Sequence, residues 1–234
     1  MIEPRSVYEL EDECTGEQVF IVAPGPSLEK FPLDVLVGRS VIVVNAAVEL
    51  LDPVQYRWWL FTDKRFTWLY RKETRRTLGL KLVTREPPAI KLAKYFNGDA
   101  LYVFNNDPPV KPYSDTHRLW WYYPEEKFLP GHTTVIANAL SLACLMNAAR
   151  VVLVGVDLYF EGDKYYAGNI QKNPGPRNRW NALMVQSRWL RNHIDKHGTW
   201  PVELFTVNES LSEKIPAIKY LPARKTRIRT VECT

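Results

Sequence analysis

Two short stretches of the chain combine residue types suited to handling an anion. In the first, Val19-Phe-Ile-Val-Ala-Pro-Gly-Pro-Ser-Leu28, an apolar run enters a Gly/Pro turn. Gly25 permits a tight turn, and Ser27 stands near the start of the helix expected to follow. Backbone N–H groups and a positive dipole end would then face a bound anion, with phosphate the natural ligand. The second stretch, Gly131-His-Thr-Thr134, opens another expected helix, where the Thr133 and Thr134 hydroxyls and free amides form a second anion site. Asp157 follows the next apolar run, at the kind of carboxyl strand end where open α/β sheets bind ligands. Both stretches also have a plainer structural reading, as a strand-turn-helix and as a helix cap.

Acid–base and charge-handling candidates lie around these turns. His132 stands beside the second turn and is the best-placed general base, with His117 second, whereas His193 and His197 sit late on an expected helix and read as surface residues. Asp63, just past the run Trp58–Thr62, could orient or deprotonate an acceptor hydroxyl. No D-x-D motif is present and no metal is expected; a divalent ion, were one used, would fall to Asp63 and Asp157. Arg177, Arg179 and Lys172 could neutralise a leaving phosphate instead. The G-x-G-x-x-G spacing is broken and the second strand ends in Asn45 where dinucleotide sites carry Asp or Glu, which disfavours a nicotinamide or flavin enzyme. A G-x-x-x-x-G-K-[ST] loop is also absent, excluding a P-loop kinase.

The elements that must position these residues are short apolar runs alternating with helical patterns. The runs are Val19–Ala23, Val41–Asn45, Trp58–Thr62, Lys81–Thr84, Leu101–Phe104, Val151–Gly155 and Val202–Thr206. Their spacing predicts βαβ units and a mostly parallel sheet flanked by helices, an α/β Rossmann-like fold. Helical periodicity predicts helices over Thr133–Met146 and Arg179–Lys196, with Gly198 as a stop after the second. Two irregular stretches near 105–131 and 157–176, rich in Pro, Asn, Gly and Tyr, are expected to form a loop-rich lid. The organisation expected is one domain over 1–223 followed by a basic tail at 224–234.

Bulk properties agree with a globular protein. The 234 residues are 46% hydrophobic and 24% charged, with a formal net charge of +5. No apolar stretch approaches the roughly 20 residues needed to span a bilayer, and the acidic N-terminus MIEPRSVYELEDE has no signal-peptide core, so a cytoplasmic location is expected. Cys14, Cys144 and Cys233 form no paired spacing and read as structural or incidental. The basic run Arg224-Lys-Thr-Arg-Ile-Arg229 and the patches Trp58-Trp59 and Trp120-Trp121 keep open contacts to nucleic acid and stacking on sugars or bases.

The A-P-G-P-S-L turn, with its second strand ending in Asn45, resembles a signature of one superfamily. Its members are bacterial lipooligosaccharide sialyltransferases, motility-accessory-factor glycosyltransferases and 6-hydroxymethylpterin diphosphokinase-like proteins. The stretch GHTTVIANALSLACLMNAARVVLVGVDLYF is similar to the superfamily's second signature, a small-residue turn, a helix and a strand ending G-[VI]-D-[LF]-Y. The resemblance covers about a quarter of the chain. It implies a Rossmann-like transferase with a lid, using a nucleotide-activated sugar without a metal or other cofactor. Nucleotide contacts would come from Gly25, Pro26, Ser27 and Asn45, and from Thr133, Thr134, Asp157 and Tyr159. Tyr165 or Tyr166 would stabilise the leaving phosphate. Sialyltransferases of this type place a histidine base before the helix that follows the lid; here Asn173-Pro-Gly-Pro-Arg-Asn-Arg-Trp180 has none.

Three functions follow as expectations. The first is glycosyl transfer from a nucleotide-activated donor to a glycan, a small molecule or DNA. The second is pyrophosphate transfer from ATP with Mg²⁺. The third is a nucleic-acid-binding module or a DNA base-modifying transferase of the phage type. A homo-oligomer is compatible with all three.

Overall fold

The computed structural model describes residues 2–63, 66, 81–85, 89, 92–94, 96, 98–104, 135–157, 202–215 and 218–222. Nine strands run through them: β1 (Arg5–Ser6), β2 (Gln18–Val22), β3 (Ser40–Val44), β4 (Trp58–Phe61), β5 (Lys81–Arg85), β6 (Ala100–Phe104), β7 (Arg150–Val154), β8 (Glu203–Thr206) and β9 (Lys219–Tyr220). They form one sheet in the order β1-β6-β5-β4-β3-β2-β7-β8-β9, and every pairing is parallel. This is the expected α/β Rossmann-like architecture, and each of the seven apolar runs lies on one of its strands. The lid segments, the predicted helix Arg179–Lys196 and the basic tail lie outside the described residues.

Alternation along the strands builds the core. Val19, Ile21, Ile42, Val44, Trp58, Leu60, Val151 and Leu153 point to one face, and Phe20, Val22, Val41, Val43, Trp59, Phe61, Val152 and Val154 to the other. A parallel sheet covered on both sides needs apolar residues at consecutive positions, which is why its strands read as unbroken runs. Helix α1 (Val135–Leu145) closes the first face with Ala139, Leu140, Leu142 and Ala143. The other face is covered partly by 3₁₀ segments, Pro26–Lys30, Leu33–Leu36 and Asn45–Glu49, through Leu28, Leu36, Ala46, Ala47 and Val48. A short helix α2 (Glu209–Lys214) follows β8.

The tryptophans of β4 correct one expectation. Trp58 and Trp59 are both fully buried, on opposite faces of the sheet, and so cannot stack on a sugar or base. At the amino edge of the sheet Arg57 and Lys81 lie over the Trp58 ring, 4.7 and 5.8 Å from its centroid, and both pair with Glu13. Among the described residues, no helix is long and apolar enough to cross a membrane.

Candidate functional site

From β2 the chain runs outward through β3 and β4 to one side of the sheet, then returns to place β7 on the other flank of β2. Such a reversal leaves a crevice at the carboxyl ends of the two strands, where connections depart in opposite directions. Gly25–Ser27 and Gly155–Asp157 meet there. The Gly25 N–H donates to the Gly155 carbonyl at 2.9 Å, and the Ala23 N–H to the Val154 carbonyl at 2.8 Å.

Both glycines are required by this contact. A Cβ at Gly25 would collide with the Gly155 carbonyl and the Asp157 carboxylate. Gly155 has φ +65°, and a Cβ there would meet the Ala23 carbonyl. Two backbone segments can touch this closely only where neither carries a side chain.

Asp157 secures the junction. Its Oδ2 accepts the Ser27 backbone N–H at 2.8 Å, while Oδ1 accepts the Ser27 hydroxyl and, at 2.7 Å, Nδ2 of Asn208. The carboxylate is buried at 4% exposure, so these donors replace the water it has lost. Ser27 and Asp157, expected as separate nucleotide contacts, are thus brought together onto each other.

The same bonds revise the chemistry expected of the first turn. Pro24 and Pro26 have no N–H, and the Leu28 N–H donates to the Gly25 carbonyl at 3.0 Å. With Ala23, Gly25 and Ser27 also engaged, no backbone donor between 23 and 28 is left for a phosphate. The expected helix is a 3₁₀ segment, Pro26–Lys30, which ends before Pro32. The amides of this turn are thus engaged within the fold itself.

Asn45 forms the neighbouring part of the rim. It follows β3 in the left-handed conformation, φ +49°, and its carbonyl accepts the Trp59 indole N–H at 3.0 Å. Its Oδ1 is buried and has no hydrogen-bond partner among the described residues. Asn tolerates this backbone region better than most residues, and an unsatisfied buried amide oxygen is costly enough to call for a ligand or water.

Asp63 stands two residues beyond β4, and its carbonyl accepts the Phe66 N–H at 3.0 Å. Strands β3 and β2 separate β4 from β7, so Asp63 and Asp157 belong to strands about 14 Å apart, at roughly 4.8 Å per strand step. Among the described residues no group of three His, Cys, Asp or Glu is arranged to hold a metal ion.

Of the remaining candidates, His132, Thr133, Thr134, Tyr159, Tyr165, Tyr166, Lys172, Arg177 and Arg179 lie outside the described residues, as do His117, His193 and His197. Cys14 and Cys144 hold no thiolate near neutral pH. Burial pushes the Cys14 thiol up to about 11 and that of Cys144 to about 12.

Sequence reasoning missed Asn208. The signal was present: an Asn two residues after an apolar run, with Glu next, reads as a helix N-cap at a carboxyl strand end.

Comparison with known proteins places this geometry among solved folds. No family model and no curated protein matches the chain. The MAf glycosyltransferase from Magnetospirillum magneticum AMB-1 superposes with a TM-score of 0.58 at 15% identity, over 97% of this chain and 37% of that one. The sialyltransferase CstII from Campylobacter jejuni, solved with the substrate analogue cytidine-5'-monophosphate, gives a TM-score of 0.49 at 14% identity, over 92% of this chain and 89% of that one. At these identities the likeness to the first is one of fold. The chain spans just over a third of the length of that glycosyltransferase.

Proposed function

We propose that the chain is a glycosyltransferase-type transferase that binds a nucleotide-activated sugar in the crevice between β2 and β7. The observation that carries this reading is the switch point itself. Gly25 and Gly155 are in contact there, and Asn45 presents a buried amide oxygen with no partner among the described residues. The fold shared with a glycosyltransferase supports the same assignment.

In this reading the nucleoside end lies against the Gly25-Pro26-Ser27 wall and Asn45, and the phosphate extends toward Thr133 and Thr134, whose hydroxyls and amides supply the donors the first turn lacks. Tyr159, Tyr165, Tyr166, Arg177 and Arg179 cover the donor and offset the charge that develops on the leaving phosphate, so no metal is needed. His132 takes the acceptor proton, with Asp63 as the alternative base. The acceptor is a glycan, a small molecule or DNA.

Calorimetric titration with a panel of nucleoside mono- and diphosphates, with and without EDTA, tests this. Binding of at least one nucleotide, unchanged by EDTA, is expected. A folded protein that binds none contradicts the reading.

A further inference from the structure

Asn45 stands twenty residues after Gly25, at the carboxyl end of the strand next to β2. The β2–β3 register pairs Val22 with Val43, and two residues beyond that pair the chains reach Pro24 and Asn45. One strand step, roughly 4.8 Å, therefore separates Asn45 from the glycine turn of the switch point.

The backbone of Asn45 holds the left-handed conformation, φ +49°, which a residue other than glycine adopts at a cost and which recurs where side chains grip ligands. Its carbonyl accepts the Trp59 indole N–H at 3.0 Å, which fixes where the side chain starts. The unmet group is the amide oxygen, Oδ1, buried with no hydrogen-bond partner among the described residues. The residue as a whole is only half-buried, and the soft terminal torsion of an amide lets that oxygen turn toward the crevice.

We infer that this oxygen accepts a hydrogen bond from a ribose hydroxyl, so that the activated donor is a ribonucleotide. The inference rests on the donor site proposed above and deepens it. An amide oxygen accepts and cannot donate. The phosphate of an activated sugar carries no proton at neutral pH, so its oxygens are acceptors too and cannot satisfy Oδ1. An O–H or N–H must come instead, from the sugar or the base. With the phosphate directed toward Thr133 and Thr134, the sugar is the part of a nucleotide that lies one strand step from the glycine turn, and the base lies further out. Doubly wound sheets take a ribose hydroxyl at this same place, about 20 residues after the glycine turn, with Asp or Glu as the acceptor. Asn45 supplies a neutral acceptor there, which needs no counter-charge where it is buried.

Calorimetry with CMP, UDP and GDP, each beside its 2′-deoxy and 3′-deoxy form, tests this in the wild-type chain and in Asn45→Gly. Glycine takes φ +49° without strain and keeps the carbonyl that Trp59 binds, so this variant removes the amide and little else. Discrimination is read as a ratio of affinities within one protein, so a change in stability cancels. One deoxy form at least is expected to bind the wild type about tenfold or more weakly than its ribonucleotide, because the amide oxygen is then left unmet. Asn45→Gly should bring that ratio below about threefold. Asn45→Asp, which keeps an acceptor at the same place, should keep the preference.

A wild type that separates neither deoxy form from its ribonucleotide by about tenfold overturns the ribose assignment and leaves the donor site standing. So does a preference that survives in Asn45→Gly at about threefold or more, since another residue then reads the hydroxyl. A folded wild type that binds none of the three ribonucleotides removes the donor site itself, and this inference with it.

Discussion

Asp157 grips Ser27 across 130 residues of sequence, accepting its backbone N–H at 2.8 Å and its hydroxyl with the other carboxylate oxygen. That grip fixes the turn after the central strand β2 to the end of β7, and the crevice between them takes its shape from it.

Removing the carboxylate takes this acceptor from the half-buried Ser27 N–H and hydroxyl and from the buried Asn208 amide. Asp157→Ala is therefore expected to lower unfolding free energy by about 2–4 kcal/mol, since a buried group left unsatisfied costs about 1–3 kcal/mol and the half-buried ones less. Ser27→Ala keeps the backbone bond and should cost about 1 kcal/mol. Urea midpoints measured for the two variants check the difference; equal midpoints would mean that the carboxylate is not bound as described.

Glycine substitutions should divide by location. Gly16 and Gly155 both have positive φ, but a Cβ at Gly16 meets nothing within 4 Å whereas one at Gly155 runs into the Ala23 carbonyl. Gly16→Ala should cost about 1–2 kcal/mol from backbone strain alone. Gly155→Ala and Gly25→Ala should cost more than that and abolish nucleotide binding. Thermal melting together with nucleotide titration separates the two effects.

The core makes a further prediction. Leu142 of α1 is fully buried against the sheet. Leu142→Ala should destabilise the fold by about 2–5 kcal/mol while leaving the nucleotide affinity of the folded protein unchanged. A loss of affinity would couple the helix to the site in a way that the packing does not explain.

Alkaline pH should reveal the partly buried thiol of Cys144. In the folded chain this group is held neutral until about pH 12, against an ordinary value of 9.0. Above pH 9 the unfolded chain releases a proton that the folded chain keeps, so stability falls as pH rises, by up to about 1.4 kcal/mol per pH unit for this one group. Cys144→Ala removes that term. Its stability relative to wild type should therefore improve from pH 9 to pH 11 and stay constant below pH 8. Denaturation of both proteins at pH 7.5, 9 and 10.5 checks the sign.

Much of this architecture is legible in the residues alone, for a physical reason. A strand buried on both faces is an unbroken apolar run, and Val19–Ala23, Val41–Asn45 and Val151–Gly155 are such runs. Strands β1 and β9 are two residues each, Arg5–Ser6 and Lys219–Tyr220, and neither has an apolar run to mark it. The segment after β2 reads as a helix start, but Pro24, Pro26 and Pro32 leave room only for a 3₁₀ segment.

The site was half legible. Gly25, Ser27, Asn45 and Asp157 stand out as residue types, and the sheet brings all four to its carboxyl edge. Their contacts do not stand out, because the bond from Asp157 to Ser27 follows from β7 pairing with β2, and local spacing carries no trace of that pairing. For the same reason the turn's amides read as available when they are engaged, and Trp58 and Trp59 read as open to a stacking role when they belong to the core.

The most direct test of the donor site is to map it. Backbone amide shifts of the ¹⁵N-labelled protein would be recorded during titration with CMP, UDP and GDP in turn. The account predicts saturable shifts from at least one of them at Gly25, Ser27, Asn45 and Asp157, with Glu13, Arg57 and Lys81 at the opposite edge of the sheet unmoved. Saturable shifts confined to that opposite edge, or a folded protein whose spectrum none of the three nucleotides changes, would contradict it.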